Sequence, residues 1–448
     1  MARLFGTDGV RGVANKELTA ELAYKLGRAG AYVLASAANH KPVILVASDT
    51  RLSCDMLESA LAAGICSVGA SVIRAGVIPT PAVAYLTRHY EADAGVMISA
   101  SHNSFEFNGI KFFSDKGYKL LDETEDEIER LIHNDSEIIN PVGDDIGRIM
   151  VCSTAVEDYL SFLLSTVDCD LQGMRIVVDC ANGAGGVAAP QLFERLGADV
   201  TIIGNSPNGI NINKKCGSTH MERLQEKVVQ EHADVGFALD GDADRLLAVD
   251  ANGEVVDGDA IMSILALSLK KRGLLVKDTL VLTIMSNMGV DIMGRTNGIK
   301  TVKTKVGDRY VLEEMLKNGY ILGGEQSGHI IMLQHSTTGD GLLTAVQLAA
   351  VMRTEAKPLA ELAGIFQALP QVLINAKVRN EMKYKYMEDA DISNLCAELE
   401  ADFDGKGRVV IRPSGTEPLV RVMIEGENRE YIKGRAELLA ALIESRLG

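Results

Sequence analysis

The chain lacks any apolar run long enough to cross a bilayer. It also lacks cysteines at C-x-x-C spacing and is short of positive charge. Each absence excludes a class. The opening MARLFGTDGVRG has no apolar core of signal-peptide length, so a cytoplasmic protein is expected. The seven cysteines (Cys54, Cys66, Cys152, Cys169, Cys180, Cys216 and Cys396) are odd in number. That argues for reduced thiols rather than a disulfide framework or structural zinc. Lys and Arg total 45 against 61 Asp and Glu, a net charge of −16. A nucleic-acid partner would call for a basic patch instead. The same negative field repels anionic substrates, so any phosphate site must create its own local positive field.

What is present indicates a folded, multidomain enzyme. Hydrophobic residues make up 47% of the 448 and charged residues 24%, too long a chain for one ordinary core. PVILVA (42–47), SVIRAGV and DAGVMIS read as strands, with helices at 55–69 and around PAVAYLTRHY between them. Such alternation predicts α/β units with a mostly parallel sheet. The rhythm restarts at MRIVVDC, with a helix at 187–197, and again at TLVLTIM and TVKTKV. QVLINAKV, GRVVIRP and PLVRVMIEG, with helices near 388–401 and 429–447, predict a smaller α+β unit at the end. The expected domains are 1–153, 154–255, 256–368 and 369–448.

Four loops carry chemistry. ISASHNSFEFNGIK follows a strand and offers Ser101 and His102, then Asn108, Gly109 and Lys111. Ligands bind beyond the carboxyl ends of parallel strands, so a hydroxyl there is open to in-line attack. A helix cap is the alternative. GFALDGDADRLLAVD alternates Asp240, Asp242 and Asp244 between apolar strands. Alternate side chains of an extended segment share a side, and three carboxylates there call for a hard divalent cation. An EF-hand fails, since its sixth position would be Arg245 and its twelfth Ala251. A solvated acidic turn is the other reading. Asn252–Gly253 reads as a hairpin turn.

VVIRPSGTEPLVRV gathers Arg412, Ser414, Gly415, Thr416 and Arg421, a set suited to bidentate and backbone binding of phosphate. YILGGEQSGHI supplies Glu325 and Ser327 for sugar hydroxyls, and His329, which can move a proton near neutral pH or serve structurally. FGTDGVRG brings Arg11 into a glycine-rich turn, and SDTRLS places Asp49 and Arg51 after a strand. CANGAGGVAA contains G-x-G-x-x-A, but no acidic residue ends the next strand. It reads as a tight strand-to-helix turn, not a dinucleotide fingerprint.

FGTDGVRG, SASHN with NGIK, DGDADR, GEQSGH and RPSGTEP, in this order, resemble the α-D-phosphohexomutase superfamily over nearly the whole chain. The start, Gln326 and RPSGTEP favour its amino-sugar branch, the bacterial phosphoglucosamine mutases. The resemblance implies four domains around a central cleft, three related α/β modules and a smaller mobile C-terminal domain. It implies phosphoserine at Ser101, and Mg²⁺ held by Asp240, Asp242, Asp244 and the Ser101 phosphate. Arg245 would lie beside the metal, and Glu325 and Ser327 would contact the sugar. Arg412, Ser414, Gly415, Thr416 and Arg421 would grip the phosphate that is not reacting. Lys111 and His329 would move protons, with Arg11 near the phosphoserine. Glucose or glucosamine 1,6-bisphosphate would serve as activator. A homodimer acting on a phosphosugar, with no nucleic acid or membrane partner, is also implied. So is a role in supplying amino sugar for cell-wall precursors.

One departure stands out. The usual SHNP is here Ser101-His102-Asn103-Ser104, which loses the fixed backbone of proline after the nucleophile. The rival readings are a glucose or mannose phosphomutase, a metal-dependent phosphatase with a serine nucleophile, and a non-catalytic phosphosugar-binding protein.

Overall fold

A computed structural model describes residues 3–6, 8–34, 39–414 and 417–448. The first sheet contains Val10–Val13 (β1), Val43–Ser48 (β2), Ser71–Val77 (β3), Ala94–Ile98 (β4), Phe107–Ser114 (β5) and Ile149–Val151 (β6), in the order β1-β5-β4-β2-β3-β6. The second contains Arg175–Asp179 (β7), Asp199–Ile203 (β8), Val235–Leu239 (β9), Leu246–Asp250 (β10) and Val255–Val256 (β11), in the order β11-β10-β9-β7-β8. The third contains Thr279–Thr283 (β12), Lys300–Thr304 (β13), Leu322–Gly324 (β14) and Ile330–Met332 (β15), in the order β13-β12-β14-β15.

One plan repeats in all three. Two parallel strands flank a central one, and the chain then reverses into an antiparallel fourth strand: β3-β2-β4-β5, β8-β7-β9-β10 and β13-β12-β14-β15. The reversal after β4 carries Ser101, that after β9 the three aspartates, and that after β14 the Glu325–His329 segment. Buried strands such as Val235–Leu239, with all five residues covered, read as continuous apolar runs because helices cover both faces. The three modules share one continuous core, running from Leu45 through Phe237 to Leu362.

The central strands of each sheet are parallel, as expected of α/β units, and each parallel set ends in an antiparallel return. Asn108, Gly109 and Lys111, expected in a loop, lie on β5. That strand is covered on both sides from Asn108 to Phe113, so it shows no alternation by which to read it. The 187–197 helix is a 3-10 turn at Ala184–Val187 followed by Ala189–Arg195. CANGAGGVAA is thus a strand-to-helix turn, as its sequence indicates.

The last unit is an antiparallel sheet of Gln371–Lys377 (β16), Gly407–Pro413 (β17) and Leu419–Gly426 (β18), ordered β16-β18-β17. Helices Ala390–Phe403 and Arg429–Leu447 close a separate core around Ile392, Val422, Ile432 and Leu439. Its contacts with the third module gather at one turn. Met288 N–H donates to Glu425 Oε2 at 2.9 Å, Arg408 donates to Ser286 O at 2.6 Å, and the Asn287 amide pairs with the Leu369 backbone at 2.9 and 3.0 Å. Among the described residues, no helix is long and apolar enough to cross a membrane.

Candidate active site

The Ser101 loop is drawn tight. Ser101 is 1% exposed and sits in the left-handed region, with φ +52°. Its N–H donates to Ser99 Oγ at 2.9 Å, and Ser99 Oγ donates to Asp49 Oδ2 at 2.6 Å. Asp49 is paired with Arg51 at 2.8 Å, both side chains fully buried. The guanidinium then donates to the carbonyls of Ser101, Asn103, Ser104 and Phe107 at 2.5–3.1 Å. This one side chain fixes the loop that proline would otherwise stiffen, and Ser104 is part of what it holds.

Ser101 Oγ donates to Asp240 Oδ2 at 2.6 Å, across 139 residues of sequence. Asp240, Asp242 and Asp244 are buried, and each offers one carboxylate oxygen within 4.8 Å of the others. Their loop is tied down from three sides. Ala184 N–H donates to Gly241 O at 2.8 Å, Thr80 N–H to Asp242 O at 2.9 Å and Gly341 N–H to Ala243 O at 3.0 Å. A Cβ on Gly241 would stand 2.5 Å from Ser101 O, so only glycine lets the two loops approach so closely.

The electrostatics are those of a cation site. Burial, then Asp244 and Asp242, push the Asp240 carboxyl well above the usual carboxylate range. Burial also opposes ionisation of Asp244, but His329 and Lys111 outweigh it and hold its carboxyl low. Asp242 Oδ1 and Asp244 Oδ1 are buried without a hydrogen-bond partner. Unpaired buried carboxylate oxygens aimed into an acidic pocket fit a hard divalent cation such as Mg²⁺, which takes carboxylates and oxygen ligands from a phosphate.

A buried chain of alternating charges surrounds this pocket. Lys111 Nζ lies 2.7 Å from Asp242 Oδ2, and Thr80 Oγ1 donates to the same oxygen at 2.6 Å. Burial disfavours the Lys111 cation, but Asp242, Asp8 and Asp244 together raise its pKa. His329 places Nδ1 3.5 Å from Asp244 Oδ2 and Nε2 3.3 Å from Asp308 Oδ2. Burial disfavours the imidazolium, yet Asp308 and Asp244 lift its pKa to about 10. The Gly339 N–H also faces Nε2, at 3.1 Å, which suits a neutral ring. The two carboxylates favour the charged ring and the backbone N–H favours the neutral one. Lys119 joins Asp308, at 2.6 Å, to Asp8, and Asp8 pairs with Arg11 at 2.7 Å. Asp8, Thr80, Lys119 and Asp308 complete the site; Asp8 lies within FGTDGVRG, three residues before Arg11, and no motif in the sequence marks the other three.

The remaining expected residues fall into two groups. Arg245 N–H donates to Asp240 Oδ1 at 3.3 Å, and its Nε is 3.8 Å from Asp244 Oδ1. Glu325 Oε1 accepts from Gly307 N–H at 3.1 Å, Ser327 is exposed, and Gln326 donates to Asp257 at 3.1 Å. A Cβ on Gly328 would meet Leu246 O at 2.2 Å, so this loop packs directly on the strand after the aspartates. Arg412 and Arg421 stand directly opposite across β17 and β18. Like charges facing each other in a sheet repel, and an anion between them removes the penalty. Burial, then Arg421, lower the Arg412 pKa. Ser414 is buried and its Oγ accepts from Glu417 N–H at 3.2 Å. Gly415 and Thr416 lie outside the described residues.

Comparison with known proteins decides the family. The Phosphoglucomutase/phosphomannomutase descriptions match in series: alpha/beta/alpha domain I at 2–138, domain II at 157–253, domain III at 257–369 and the C-terminal domain at 373–442. The chain belongs to this family. A phosphoglucosamine mutase of Acetivibrio thermocellus is 62% identical over 449 residues, covering all of both chains. One from Clostridium botulinum is 59% identical over 448 residues, again with full coverage. Among solved structures, a family protein of Burkholderia thailandensis superposes with a TM-score of 0.84 at 24% identity, over 99% of this chain and 97% of that one. An Aspergillus fumigatus N-acetylphosphoglucosamine mutase, solved with GlcNAc-6P and magnesium, gives 0.67 at 17% identity, over 99% and 96%. At such identities these structures establish the fold.

Proposed function

We propose that the protein is a phosphoglucosamine mutase, interconverting glucosamine 6-phosphate and glucosamine 1-phosphate with Ser101 as phosphoryl carrier. The observation that carries this is the Ser101 hydroxyl, buried and 2.6 Å from a carboxylate of the aspartate cluster. Ser101 bears the phosphoryl group at rest. Its P–O bond breaks as a new one forms to O1 of glucosamine 6-phosphate, giving the 1,6-bisphosphate, and the O1 proton leaves to a neighbouring base. After the intermediate turns over, the P–O6 bond breaks as the phosphoryl group returns to Ser101 Oγ, O6 takes up a proton, and glucosamine 1-phosphate leaves. Phosphoryl transfer depends on alignment and charge neutralisation, which the buried loops provide. Mg²⁺ at Asp240, Asp242 and Asp244 would neutralise charge on the transferring oxygens. Lys111 and His329 would move protons, and Arg11, near the phosphoserine, would supply further positive charge at the same face. Glu325 and Ser327 hold sugar hydroxyls, and Arg245 borders the metal.

Arg412 and Arg421, with Ser414, Gly415 and Thr416, grip whichever phosphate is not reacting. Arg421→Ala is expected to raise KM about 10- to 100-fold, from ~1.5–3 kcal/mol per hydrogen bond to a charged group, with a smaller change in kcat. An unchanged KM in steady-state kinetics would remove that role.

The choice of substrate follows the activity of the full-length relatives. The deciding experiment compares kcat/KM for glucosamine, glucose and mannose phosphates with Mg²⁺ and a trace of 1,6-bisphosphate. Preference for the amino sugar is expected. Equal or better use of glucose or mannose phosphate moves the protein to a neighbouring branch with its mechanism intact. Inorganic phosphate released in step with substrate loss would mark a phosphatase instead. This reading includes a cytoplasmic homodimer feeding amino sugar to UDP-N-acetylglucosamine and the cell wall. Sedimentation of the purified protein tests the dimer.

A further inference from the structure

The segment between β8 and the Glu222–Glu231 helix enters none of the motifs above, yet it reaches Ser101. Asn213 is 7% exposed and left-handed, with φ +58°, and its N–H donates to Ala181 O at 2.9 Å. Its side-chain amide donates to two carbonyls of another module, Ser101 O at 2.9 Å and Asn103 O at 3.0 Å. Arg51 Nη2 donates to the same two carbonyls, at 2.9 Å each. The turn that begins at the nucleophile is therefore held at the same two atoms from both sides, by its own module and by the module bearing the aspartates. The Nδ2 of Asn213 also lies 2.8 Å from where a Gly241 side chain would begin, so the amide fills the narrow space between the serine and aspartate loops.

We infer that Asn213 is a positioning residue that sets the alignment of the Ser101 phosphoryl group with the aspartate pocket, by fixing the Ser101 and Asn103 carbonyls from the second module. The physical argument is register between two separately built loops. Arg51 makes the serine loop rigid within its own module but says nothing of where the aspartates are. Asp240 reaches Ser101 through its reacting oxygen, a contact that phosphorylation replaces. The Asn213 contacts go to backbone carbonyls and survive every state of the side chain. A left-handed backbone is tolerated by asparagine better than by most residues, which lets this short side chain reach both acceptors.

The inference rests on Ser101 being the phosphoryl carrier, and the test separates the two. Asn213→Gly keeps the left-handed backbone and deletes both donors, and Asn213→Asp keeps the shape and deletes them too. Both are expected to lower kcat about 10- to 100-fold, the scale of a displacement near 1 Å. KM for glucosamine 6-phosphate is expected to stay within about twofold on the same argument, because no substrate contact is lost. In single turnovers of phosphorylated enzyme, a larger share of the phosphate should pass to water rather than to sugar. A residue that only stabilises the fold would not alter that partition. Wild-type kcat and partition in Asn213→Gly, with Ser101→Ala inactive, would overturn the inference alone. An active Ser101→Ala would overturn the carrier reading beneath it.

Discussion

Ser101→Ala is expected to lose turnover by more than about 10⁴-fold, because both half-reactions pass through one P–O bond to the serine oxygen, broken in the first and re-formed in the second. The fold should tolerate the change. The hydroxyl makes one strong contact, to Asp240, and the loop is held by the carbonyls that Arg51 and Asn213 bind. Incubation with labelled glucose 1,6-bisphosphate should leave one phosphate on the wild-type enzyme, at Ser101, and none on the variant. Activity within tenfold of wild type, or a phosphate found elsewhere, would end the proposed mechanism.

Asp240→Asn is expected to separate metal binding from stability. Mg²⁺ affinity should drop at least about 100-fold, because a charged oxygen ligand becomes a neutral amide. The metal-free protein should melt no lower than wild type. Its fold already resists a charge at this position, through burial and then the neighbouring Asp244 and Asp242. Chelation of the wild-type enzyme should abolish turnover, and added Mg²⁺ should restore it. Metal titration followed by activity and by thermal unfolding checks both halves. A variant with unchanged Mg²⁺ dependence would remove Asp240 from the ligand set.

The loops that carry chemistry were legible because each follows an apolar strand and concentrates unusual residues in a few positions. DGDADR between two covered strands, or two arginines and two hydroxyls in one hairpin, can be read without coordinates. The residues that complete the site are written differently. Thr80, Lys119, Asn213 and Asp308 are single polar side chains in unremarkable surroundings. Lys119 reaches Asp308 across 189 residues, and Asn213 reaches Ser101 across 112. No local pattern encodes such pairings, since they depend on how whole modules pack. The antiparallel β5 was hidden for a related reason. Asn108 and Lys111 are buried there, which breaks the apolar run that marks a covered strand.

The repeated reversal of the sheet has a consequence for how such an enzyme diversifies. Three modules of one strand plan deliver three loops to the same place, and on the proposed mechanism they would divide the work among nucleophile, cation and sugar. On that reading, a change in the third loop would alter which hexose is accepted while the backbone that presents the serine and the aspartates stays where it is. Such a division of labour would leave the chemistry fixed and the choice of substrate open to drift.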